Sequence, residues 1–83
     1  MECTRIEVRY LDNYYRWFVI PLDNDYNQVD FDDLDCGFLE CPYSHYKHDA
    51  VSDAKKMAAS TNAVIYIYTM NGDVGAVVNP DTK

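Results

Sequence analysis

Between Trp17 and Tyr46 the chain holds no Lys or Arg, while Asp23, Asp25, Asp30, Asp32, Asp33, Asp35 and Glu40 place seven negative charges there. The other residues carry seven acids and seven bases, so the whole net charge of −7 sits in one central segment. Like charges at this density repel one another and stay in water. The core therefore has to come from the two neutral flanks. With 83 residues, of which 48% are hydrophobic, those flanks suffice for one domain over 1–83, since so short a chain buries only about 60% of the surface its unfolded form exposes.

Residues 4–10 alternate, with Ile6, Val8 and Tyr10 on one side and Arg5, Glu7 and Arg9 on the other, the pattern of a half-buried strand. Asp12 and Asn13 supply turn chemistry, and Tyr15 to Ile20 form a second β-rich run that Pro21 is expected to end. Residues 22–35 read as an acidic loop carrying the apolar anchors Tyr26, Val29, Phe31 and Leu34, and Gly37 to Tyr46 has room for a short strand interrupted at Pro42. Ala50, Val51, Ala54, Met57 and Ala58 recur at helical spacing, which predicts a helix over 50–60 capped by Asp49 and closed near Asn62. Ala63 to Thr69 is a strand. Asn71 and Gly72 form the pair favoured in two-residue hairpin turns, and Val74 to Val78 pairs back until Pro80. The expected fold is α+β: a small four-stranded, mostly antiparallel sheet in the order ββ, long acidic segment, α, ββ, with one helix packed on one face.

A single helix covers one face of such a sheet. Trp17, Tyr66 and Tyr68 are candidates for the second face, where exposed aromatics would form an interface, including one between two copies of the chain.

No apolar run approaches the roughly 20 residues of a membrane helix, and no signal-peptide pattern follows Met1. Three cysteines, Cys3, Cys36 and Cys41, lack the density of a disulfide scaffold. A soluble, cytoplasmic protein with free thiols and no membrane partner is expected.

Catalytic and metal motifs fail on inspection. Asp23, Asp25 and Asn27 match positions one, three and five of a calcium loop, but Gln28 stands where Gly is needed and Leu34 where a bidentate Glu is needed. Cys36, Cys41, His45 and His48 are zinc-type ligands packed into 13 positions, without the long spacer that separates ligand pairs in zinc fingers. Cys41 with His45 or His48 lacks an orienting carboxylate, and Gly37, Gly72 and Gly75 form no phosphate loop. No enzyme activity, cofactor or metal is expected, and the acidity opposes direct nucleic-acid binding.

Six Asp within Asp23–Asp35, alternating with apolar anchors, present carboxylates at spacings comparable to a phosphate backbone. Such a row suits the Lys- and Arg-lined groove of a nucleic-acid-binding protein, with Tyr26, Phe31, Tyr43 and Tyr46 as desolvated anchors. The helix residues Ala54, Lys55, Lys56, Met57 and Ala58 lead into the hairpin Ile65 to Val78 through Asn71 and Gly72. Together with the small size and acidity, this pattern resembles the small phage-encoded inhibitors of bacterial defence, the anti-CRISPR and anti-restriction proteins. The resemblance implies DNA mimicry, an acidic surface blocking the nucleic-acid groove of a host complex in the bacterial cytoplasm. The residues expected to bind the partner are Asp23, Asp25, Asp30, Asp32, Asp33, Asp35, Tyr26 and Phe31. A self-associating adaptor and a small metal-binding module are the alternatives.

Overall fold

The computed structural model describes residues 3–29 and 43–79. Its elements are β1 (Arg5–Leu11), β2 (Arg16–Leu22), β3 (Tyr43–Ser44), α1 (Lys47–Thr61), β4 (Val64–Tyr68) and β5 (Val74–Val78). The strands form one sheet in the order β3-β2-β1-β4-β5. The α+β class and the one-helix, one-sheet architecture are as the sequence predicts. The sheet differs in two respects: it has a fifth strand, β3, and it is mixed, because β1 and β4 run parallel while the other neighbours are antiparallel.

The parallel pair follows from the connection. β3 runs with β1, and α1 carries the chain from β3 across the sheet to β4, which lands beside β1 in the same direction. The β1 alternation sets both faces. Ile6 and Val8 are fully buried under the helix side, with Val19 opposite Val8 and Ile65 beside Ile6. Ala50, Ala54 and Met57 of α1 close this core, and Lys55, Lys56 and Ser60 face water.

Local chemistry accounts for the remaining differences. Pro21 does not end β2: it lies inside the strand opposite Ile6, its neighbour on the far side is only the Leu22–Gln28 bridge, and its carbonyl accepts from Val29 N at 2.9 Å. The helix starts earlier than predicted, at Lys47, with extended Tyr46 as N-cap, so Asp49 sits in the first turn instead of capping it. Asn62 closes the helix in the left-handed conformation, as its position suggests. The β4–β5 turn is not the two-residue type. Gly72 N donates to Thr69 O at 3.0 Å and Thr69 N to Asp73 O at 2.7 Å, and only Gly72 takes positive φ, the arrangement of a three-residue loop with glycine at its left-handed end.

Candidate interaction face

Trp17 does not belong to the second face. It pairs with Tyr10 on the helix side, packs against that ring at 5.3 Å between centroids, and is part of the core. Tyr66 and Tyr68 do lie on the open side, because Tyr66 stands beside Glu7 in the parallel register, but Tyr68 is buried at 8% exposure and Tyr66 is half-buried, so they are not the exposed aromatic patch that the sequence suggests. No helix covers this side among the described residues.

Its centre is a charge cluster set by strand parity. Arg5, Glu7 and Arg9 project from the same side of β1, and Glu7 is the buried acid of the described residues, 7% exposed. Its Oε2 accepts from Arg5 Nε at 2.7 Å and its Oε1 from Arg9 Nε. The Tyr68 hydroxyl accepts from Arg5 Nη2 at 2.9 Å and donates to Glu7 Oε2 at 3.3 Å, closing a ring of three side chains. The guanidiniums also stack on aromatic faces: Arg5 lies 3.6 Å from the Tyr66 centroid and Arg9 lies 3.8 Å from that of Tyr68. Burial pushes the Glu7 carboxyl up, but the hydrogen bonds from Arg9 and Arg5 outweigh it and hold the group below its ordinary value. For Arg5, burial lowers the value, but the bonds to Glu7 and Tyr68 prevail and raise it.

Beside this cluster, Phe18 contacts Tyr14 at 5.5 Å and Tyr43 at 5.4 Å, and Arg16 reaches over Tyr43 at 5.3 Å. All three arginines of the chain thus occupy one sheet face interleaved with aromatic rings. Alternation in β1 revealed Arg5, Glu7 and Arg9 as a side, but their convergence with Tyr66 and Tyr68 depends on β4 docking parallel to β1, which strand patterning does not encode.

The acidic segment begins at the rim of this face. Asp23 Oδ1 accepts from Asp25 N at 2.9 Å and Asn27 N at 3.0 Å, so the first aspartate shapes a turn. Asp25 is exposed, and Tyr26, at φ 65 and 66% exposed, holds its ring 5.0 Å from the Arg5 guanidinium. Asp30, Phe31, Asp32, Asp33 and Asp35 lie outside the described residues, as do Cys36 and Cys41. His45 and His48 are exposed, His48 lying 3.3 Å from Asp49 Oδ1 and stacked on Tyr46. Among the described residues no group of metal-ligating side chains assembles, and no helix is long and apolar enough to cross a membrane. Comparison with protein-family models, with curated proteins and with solved structures finds no match.

Proposed function

We propose that this chain is a non-enzymatic acidic binding protein, an inhibitor of the anti-CRISPR kind, that blocks a basic nucleic-acid-binding surface of a host protein through Asp23–Asp35. The observation that carries this reading is the confinement of the net charge to one segment whose described start is an exposed, internally bonded turn presenting Asp25 and Tyr26 outward. Asp25 supplies long-range attraction and fast association, and Tyr26 an aromatic anchor. The test is capture of partners from a bacterial lysate by the wild type and by a variant with Asp30, Asp32, Asp33 and Asp35 replaced by Asn. Weakened capture by the variant, with release of the wild-type partner by added duplex DNA, is expected. Undiminished capture at low and high salt, or indifference to the duplex, overturns it.

A second reading is favoured by the arginine and aromatic lattice. Tyr and Arg are the residues enriched at protein interfaces, and Arg16 Nε is buried with no hydrogen-bond partner among the described residues. Under this reading the open face itself docks a partner protein, and Tyr66→Ala reduces capture while Asp30→Asn does not.

A further inference from the structure

Strand parity puts Arg16, Phe18 and Ile20 on one side of β2, opposite Leu11, Arg9 and Glu7 of β1, and therefore on the open side of the sheet. Tyr43 pairs with Phe18 from β3. The β1–β2 turn, in which Tyr14 N donates to Leu11 O at 3.0 Å, holds the Tyr14 ring in an edge contact with Phe18. These side chains wall a cleft of about 520 Å³ that Leu11, Ile20 and Gln28 also line. Clefts that take small ligands run to roughly 300–1,000 Å³ and combine apolar and aromatic walls with a few polar groups. Here the walls are aromatic and aliphatic, and Arg16 is the one charged residue lining the cleft among the described residues.

Arg16 is unlike the other two arginines. Arg5 and Arg9 share the Glu7 carboxylate, whereas no carboxylate lies within ion-pair distance of Arg16 among the described residues. Its Nη1 donates to Tyr14 O at 3.0 Å, and its Nε is buried without a partner. Nε and Nη2 are the donors on one edge of the guanidinium, the edge that grips a carboxylate side-on. Neither has a partner among the described residues, and an unpaired charged donor shielded from water is costly until a ligand satisfies it. We propose that the cleft binds a small planar aromatic carboxylate, its ring lying among Tyr14, Phe18 and Tyr43 and its charge on Arg16. The carboxylate enters at Nη2, and a small rotation of the Arg16 side chain brings Nε to its second oxygen. Stacked and edge-on contacts with the three rings select a flat ligand. A single cation matches a monoanion, while a phosphate monoester, with close to two charges, needs more donors than the described lining offers. The site requires no partner protein and goes beyond both readings of function.

Titration of the isotope-labelled full chain with 2-naphthoate, followed by amide correlation spectra, tests the proposal. Saturable shifts are expected at the Tyr14 and Phe18 amides and at the Arg16 Nε–H, with a dissociation constant below about 1 mM, the range open to a ligand of this size. 2-Naphthamide keeps the ring and loses the charge. It should bind at least about tenfold more weakly, the factor expected for a charge-assisted hydrogen bond. Arg16→Gln should abolish that preference, so that acid and amide bind alike, with far-UV circular dichroism checking that the variant is folded. The comparison of acid with amide needs only the wild type, so a variant that fails to fold leaves the test decisive. No saturable shift up to about 10 mM, equal binding of acid and amide by the wild type, or shifts that avoid Arg16 and the cleft overturns the proposal. Tighter binding of adenosine monophosphate than of 2-naphthoate overturns it as well. All of these are read on the isolated chain, so a failure here is distinct from a failure of partner capture.

Discussion

The Tyr68 hydroxyl donates to Glu7 Oε2 at 3.3 Å across 61 residues of sequence, and the same hydroxyl accepts from Arg5 Nη2 at 2.9 Å. One phenol thus ties a carboxylate and a guanidinium of β1 to the parallel strand β4. The pairing explains how a sheet face with no helix over it among the described residues avoids exposing a large apolar area. Two rings are covered by guanidiniums, and the charge of those groups is offset by one buried acid.

Glu7 is the keystone of that arrangement. Glu7→Gln preserves its volume but leaves Arg5 and Arg9 facing each other without a negative charge between them. Removing one member of a buried charge cluster costs up to 3–5 kcal/mol. Arg9 is partly exposed, so solvent screening reduces the expected loss to about 1–3 kcal/mol. The loss should appear as a lower urea midpoint with an unchanged slope.

The same carboxyl makes stability depend on pH. Its folded value is held below the unfolded one, near 4.3, so its contribution is present above that pH and is lost as pH falls through the folded value. Asp53 acts in the opposite sense. Burial raises its value and nearby Asp49 adds to this, against the pull of Lys56. A raised carboxyl favours folding below its unfolded value, and that advantage disappears as pH rises through the folded one. Urea midpoints measured between pH 3 and pH 7 should therefore fall towards acid in the wild type and fall less in Glu7→Gln. Asp53→Asn should raise the midpoint at pH 7 and leave it unchanged at pH 3.

Trp17 packs on Tyr10 within the core, so its removal acts on folding. Trp17→Ala should cost about 3–5 kcal/mol, a large part of the total stability of about 5–15 kcal/mol usual for a domain. Circular dichroism and thermal melting should show a partly or wholly unfolded chain. Trp17→Phe should remain folded with a lower melting temperature. A Trp17→Ala variant that melts like the wild type would place the indole outside the core.

What could be read from the chain followed from periodicity. Alternation in β1 separated Ile6 and Val8 from Arg5, Glu7 and Arg9, and three- and four-residue spacing marked Ala50, Ala54 and Met57 as the buried stripe of α1. What could not be read was set by partners distant in sequence. Tyr43–Ser44 falls within the Gly37–Tyr46 stretch where a short strand is expected, but its place as a fifth strand of this sheet comes from Trp17 and Phe18 beside it, and two residues carry no periodicity of their own. Trp17 was ambiguous for a related reason. Arg16–Leu22 is nonpolar at nearly every position after the first, so no alternation assigns its faces, and only the register with β1 sends Trp17 inward. The charge cluster was invisible because it requires β1 and β4 to be parallel neighbours, a consequence of where α1 returns the chain.

The end of α1 offers a prediction independent of the charge cluster. Asn62 holds φ 60, and its N–H donates to Ala58 O at 2.7 Å, while Ser60 Oγ and Thr61 Oγ1 both donate to Met57 O. The left-handed conformation costs a residue bearing a Cβ roughly 1–2 kcal/mol, less for Asn and nothing for Gly. Asn62→Ala should therefore destabilise the protein by about 1 kcal/mol, whereas Asn62→Gly should match or exceed the wild type. Both are read from urea unfolding at neutral pH. Equal loss in the two variants would mean that the Asn side chain, and not the backbone conformation, closes the helix.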